Sequence, residues 1–126
     1  MPTTVRYTPK GAASVFTGSI SRAGFYEHNA ALWLQPKFRR SRYWLVDAEF
    51  ADFSSVPETD VDIWLSIGRD RAFHIDVKRC AFITDPQASR EFEGIWMSRL
   101  AKSFRAWQFR QFSRVSEAEI WAQGEA

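Results

Sequence analysis

Apolar and polar residues alternate most regularly between Val61 and Arg79, in the stretch VDIWLSIGRDRAFHIDVKR. Val61, Ile63, Leu65 and Ile67 alternate with Asp62, Trp64 and Ser66. After Gly68-Arg69-Asp70-Arg71 the pattern resumes, with Phe73, Ile75 and Val77 set against His74, Asp76 and Lys78. A period of two predicts a pair of half-buried strands joined at Arg69-Asp70-Arg71. The register that keeps every apolar side chain on one face pairs Ile67 with Phe73, Leu65 with Ile75 and Ile63 with Val77. On the opposite face Ser66 meets His74, Trp64 meets Asp76 and Asp62 meets Lys78. Two carboxylates and an ammonium therefore share one patch in this reading.

Around this hairpin the other elements follow in order. Thr3 to Thr8 alternates, Pro9-Lys10-Gly11 signals a turn, and Ser14 to Ile20 is β-prone, which predicts an N-terminal hairpin over residues 1–21. Ser21 caps a helix through Phe25, Glu27, Ala30, Ala31 and Leu34 that Pro36 stops; the alternative is a strand over Ala30 to Leu34. Tyr43 to Phe53 reads as a strand whose core face is Trp44, Val46, Ala48 and Phe50. Thr84 or Asp85 caps a further helix with Pro86 in its first turn. Ala88, Phe92, Ile95, Trp96 and Leu100 form its apolar stripe, and it ends near Ser103. Phe104 to Val115 alternates as a strand, and Ser116-x-x-Glu119 reads as a capping box for a short last helix. The predicted class is α+β: a mixed central sheet with a helix-strand-strand-strand-helix-strand core, preceded by the N-terminal β-hairpin. At 126 residues the chain is expected to form one domain, with the hairpin at 1–21, the core at 22–115 and a C-terminal helix and tail at 116–126.

Composition narrows the chemistry. A single cysteine, Cys80, excludes an internal disulfide and a cysteine-cluster zinc site, and two histidines exclude a multi-histidine centre. No apolar run approaches the roughly 20 residues of a membrane span, and no apolar leader opens the chain, so a cytoplasmic setting is expected. Net charge is only +2, but it is unevenly placed. Tyr43 to Gly68 holds six acids and no Lys or Arg, whereas Arg99 to Arg114 holds Arg99, Lys102, Arg105, Arg110 and Arg114 and no acid. Lys37, Arg39, Arg40 and Arg42 form a second basic cluster. Segregation of this kind predicts an acidic and a basic surface, the basic one suited to a polyanion. The aromatics interleaved through FRAWQFRQFSRV would add stacking partners for bases.

Asp62 together with Asp76-Val77-Lys78, on consecutive strands in a helix-strand-strand-strand-helix-strand order, resembles the motif of the PD-(D/E)xK nuclease superfamily. The hairpin is similar to those of Holliday-junction resolvases and some restriction endonucleases. The resemblance implies a metal-dependent endonuclease that binds DNA and hydrolyses phosphodiester bonds. Asp62 and Asp76 would ligate Mg²⁺ together with the carbonyl of Val77, and Lys78 would serve the attacking water. Glu27 would be an additional acid on the first core helix. Arg99, Lys102, Arg105, Arg110 and Arg114 would hold the DNA backbone, and the protein would work as a homodimer or in a larger nucleoprotein complex. The alternative reading is a non-catalytic phage- or plasmid-type interaction or inhibitor protein, binding a partner through the acidic and aromatic surfaces. Against both stands the plain reading of Asp62 and Lys78 as an exposed cross-strand ion pair.

Overall fold

The computed structural model describes residues 2–71, 75–85 and 91–124. Strands β1 (Thr3–Tyr7) and β2 (Gly11–Ser19) form the expected N-terminal hairpin, with Thr3 opposite Phe16 and Tyr7 opposite Ala12. Helix α1 (Arg22–Trp33) follows, capped by Ser21, whose Oγ accepts the Gly24 N–H at 2.9 Å. The helical reading of this segment holds over the strand alternative. Next come a short helix α2 (Pro36–Arg39), strand β3 (Tyr43–Asp52), helix α3 (Thr59–Arg71), strand β4 (Arg79–Ile83), helix α4 (Glu91–Ser103), strand β5 (Gln108–Phe112) and helix α5 (Val115–Gln123). The sheet order is β1-β2-β3-β4-β5, antiparallel in the first pair and parallel thereafter. The fold is thus α+β with a mixed five-stranded sheet and an N-terminal hairpin.

The central hairpin is not formed. Its first half is α3, and its second half ends in β4, which pairs in parallel with β3. Two periods coincide in this stretch. Val61 and Leu65 fit both a strand face and a helix face, but the buried set is Val61, Trp64, Leu65 and Gly68, spaced as one face of a helix. Ile63, assigned to the core by alternation, is exposed. Gly68 is required where α3 meets the core: a Cβ there would come within 2.9 Å of the Phe104 and Trp33 rings. Topology demands the same outcome, because parallel neighbours such as β3 and β4 need a crossover rather than a tight turn. The alternation is real only beyond the helix, where Ile75 and Val77 are buried while Asp76 and Lys78 are exposed. Phe73 and His74 lie outside the described residues, as does Pro86.

Each parallel strand is laid beside its predecessor in the same direction. The crossovers place α1, α3 and α4 on one face of the sheet, where their buried residues share one core. Their core is aromatic. Trp33, Trp44, Trp96, Phe16, Phe25, Phe38 and Phe82 are fully or almost fully buried, packing against Val46, Val61 and Leu100. The indoles retain polar partners: Trp44 Nε1 donates to Ser14 Oγ at 2.9 Å and Trp33 Nε1 to Asn29 Oδ1 at 3.1 Å. Among the described residues the outer face receives only α5, whose Ala118 and Ala122 cover Tyr43, Leu45, Ala81 and Ile83. Helix α5 begins at Val115, with Arg114 as a cap residue that makes no side-chain cap bond, so Ser116 lies inside the helix and the capping box is absent.

Strand β3 departs from simple alternation. Trp44, Val46 and Ala48 face the core as expected, but Phe50 is 70% exposed. Between the pairs Val15–Asp47 and Thr17–Phe50, β3 contributes three steps to two on β2. The extra residue is a bulge that reverses the faces beyond it, turning Phe50 outward and Ala51 inward.

Candidate functional site

The topology sorts charge. Helices α1, α3 and α4 each start at the carboxyl end of one strand and return to the amino end of the next, so their N-termini gather at one end of the sheet. Acids there complement the helix dipoles: Asp60 and Asp62 lie in the first turn of α3, and Glu91 and Glu93 in that of α4. At the opposite end stand Arg39 and Lys102 in last turns, with Lys10, Arg42 and Lys78 immediately before β2, β3 and β4. The segregation read from the sequence survives only in part: Arg99 sits among the acids, and Arg114 follows the carboxyl end of β5.

The acidic end is cross-linked. Arg22 on α1 grips Asp60 on α3 through two bonds, Nε to Oδ2 at 2.9 Å and Nη2 to Oδ1 at 3.0 Å. Arg99 on α4 donates to the Glu58 carbonyl at 3.0 Å and pairs with Glu58 and Asp62, both at 3.2 Å. Asp52 Oδ1 accepts the Ser54 N–H at 2.9 Å, and bonding from the Ser54 amide and hydroxyl holds its carboxyl below the usual range.

Between the loop leaving β3 and the start of α4 lies a crevice of about 460 Å³. Phe53 and Phe92 stack at 4.8 Å and 14° along it, with Val56 and Ile95, and Asp52, Glu58 and Glu91 line it too. No local sequence signal joins Phe53 to Phe92. The usable hint was the Phe53-Ser54-Ser55-Val56-Pro57 loop after a strand, since ligands in parallel sheets favour the carboxyl ends.

The residues singled out from sequence are dispersed. Asp62 is in the first turn of α3, committed to Arg99, while Asp76 follows the other end of that helix, about 20 Å long. Asp76 N–H donates to the Arg39 carbonyl, and Lys78 N–H to that of Arg42. Asp62, Asp76 and Val77 therefore do not converge, and the implied Mg²⁺ has no site built from them. Among the described residues no cluster of three or more His, Cys, Asp or Glu is placed for a metal ion. Glu27 is exposed on α1. Of the five bases, Arg99 is engaged by acids, Lys102 and Arg105 are exposed beyond it, Arg110 lies over the Phe112 ring, and Arg114 contacts Glu117 at 4.0 Å. The aromatics meant for bases are stacked on each other: Phe104 on Trp107 at 4.4 Å and on Trp33 at 5.8 Å.

Further groups are perturbed by burial, which also raises Tyr7. His28, 3% exposed against the Phe16 ring at 4.4 Å, has an unpartnered buried Nε2, and desolvation pushes its pKa down to about 4. Burial raises the Cys80 thiol well above its usual value, so it is inert. Asp47, beside a cavity of about 210 Å³ under α5, is raised by burial, opposed by the Glu49 N–H and Arg6.

Among the described residues no helix is long and apolar enough to cross a membrane. No family model matches the chain, and no curated protein does. Among solved structures it is similar to an uncharacterized protein of the DUF3478 family with a SpoIIAA-like fold from Shewanella loihica PV-4. The identity is 17% and the TM-score 0.58, over 95% of this chain and 91% of that one. That likeness shows the fold alone. The fold it shows is SpoIIAA-like rather than that of a PD-(D/E)xK nuclease, which overturns that resemblance and with it the DNA-cleaving reading. It lends no support to the phage- or plasmid-type inhibitor either.

Proposed function

We propose that the chain is a ligand-binding protein whose crevice takes a compact organic cation bearing an apolar or aromatic group. The observation that carries this reading is an aromatic floor, Phe53 on Phe92, joined to a carboxylate rim over about 460 Å³. That volume is in the range of small-molecule sites. An aromatic face and a nearby carboxylate both attract a cation. The start of a helix ordinarily favours an anion. Here Glu91 and Glu93 already fill the first turn of α4, so an added anion would meet like charge.

Calorimetric titration with benzyltrimethylammonium, benzyl alcohol and benzoate tests the proposal on the full chain. The expected order of affinity is cation, neutral, anion. Glu91→Gln, at an exposed position, should weaken the cation several-fold while leaving thermal stability unchanged, and Phe92→Ala should weaken all three. Benzoate binding as tightly as the cation, or full affinity in both variants, would refute it.

A further inference from the structure

The opposite end of the sheet carries a second site of inverse charge. Lys10, Arg42 and Lys78 stand side by side on adjacent chain segments, linked by Arg42 N–H to the Lys10 carbonyl at 2.7 Å and Lys78 N–H to the Arg42 carbonyl at 2.8 Å. All three are exposed. Beside this row a cavity of about 300 Å³ is lined by Tyr7, Thr8, Pro9, Lys37, Arg40 and Ser41. Among the described residues no carboxylate lies in its wall. The Lys37 ammonium is held over the Tyr7 ring, 5.7 Å from its centroid, and neither Lys37 nor Arg40 makes an ion pair among the described residues. The Tyr7 hydroxyl is buried without a hydrogen-bond partner among the described residues. Ser41 Oγ donates to the Lys37 carbonyl at 2.9 Å, which fixes the turn between the two cations.

We propose that this cavity binds a phosphate group, with Lys37 and Arg40 as its charged donors. A guanidinium and an ammonium supply several N–H donors to a tetrahedral oxyanion. The Lys10, Arg42 and Lys78 row adds a field that draws anions to the cavity mouth. Among the described residues, Asp76, exposed beside Arg39, and Asp70 in the last turn of α3 oppose that field, as does Glu119 on the neighbouring cavity that shares Tyr7 and Thr8. The phosphate could belong to a free monoester or to the headgroup of an anionic lipid, and the two sources share this chemistry.

The test titrates the isotope-labelled full chain with inorganic phosphate and with glycerol phosphate, following backbone amides. In parallel the protein is sedimented with phosphatidylcholine vesicles, with and without phosphatidic acid. Saturable shifts should be confined to Thr8 and residues 37–41. The double variant Lys37→Gln/Arg40→Gln, at exposed positions, should weaken binding by about tenfold or more. Sedimentation that requires phosphatidic acid and fails in the double variant assigns the headgroup; phosphate binding without sedimentation assigns the free monoester. Absence of saturable shifts at tens of millimolar phosphate would overturn the proposal. So would an equal loss in Lys102→Gln/Arg105→Gln, at the same end outside the cavity, because general surface charge would then account for the binding.

Discussion

The two ends of the sheet use charge in opposite ways. At the carboxyl end, Asp60, Glu58 and Asp62 are each tied to an arginine on another element, so α1, α3 and α4 are laced together there. At the amino end, Lys10, Lys37, Arg40, Arg42 and Lys78 make no ion pair among the described residues. Both ends obey the same helix dipoles, yet only one spends its charge on internal structure. A paired carboxylate is partly committed; an unpaired cation is free to meet a ligand. The contrast separates carboxylates engaged in internal pairs from cations that make none among the described residues, while Glu91 stays exposed on the rim of the crevice.

The largest expected effect must be removed before the acidic end can be read by pH. His28 titrates near 4 in the folded chain against about 6.5 when unfolded. Because its folded value is lowered, stability is full above about 6.5 and falls as pH drops towards 4, by about 3 kcal/mol in all. Denaturant melts across that window should show the loss, and His28→Leu should flatten it; an unchanged slope would show that carboxylates dominate. Next in size is Arg99→Ala, which frees Glu58 and Asp62 at once. A loss of about 1 kcal/mol, shrinking in high salt, is expected because these pairs are largely exposed. The smallest effect belongs to the amino end. Arg42→Gln should leave stability within about 0.5 kcal/mol, or raise it slightly by relieving repulsion with Lys10 and Lys78. A clear loss of melting temperature there would break the contrast, by showing that the cations are structural too.

How much of this was legible in the chain depended on whether a signal was local. The Pro9-Lys10-Gly11 turn, the Ser21 cap and the Phe92-Trp96-Leu100 stripe are set by neighbours in sequence, and the structure contains the hairpin and helices they predict. Val61 to Arg71 misled because Val61 and Leu65 satisfy both periods; Trp64 decides for the helix, and its burial depends on packing beside Tyr26, far away in sequence. Phe50 misled because a bulge is a property of two strands rather than one. Charge segregation was visible only in part, because where the crossovers put helix ends divides the Arg99 to Arg114 bases between the two ends. The crevice was hidden for the same reason: its floor joins residues from separate crossover units.

The spatial order of the strands is also their order in the chain. During synthesis each new strand can therefore dock on one already in place, and no early segment has to wait for a distant partner. The exception is the last helix. Until α5 has emerged, Tyr43, Leu45, Ala81 and Ile83 form a bare apolar strip on the nascent sheet. Helix α5 thus acts as a seal, and the interval before it arrives is when self-association or chaperone capture has its opening.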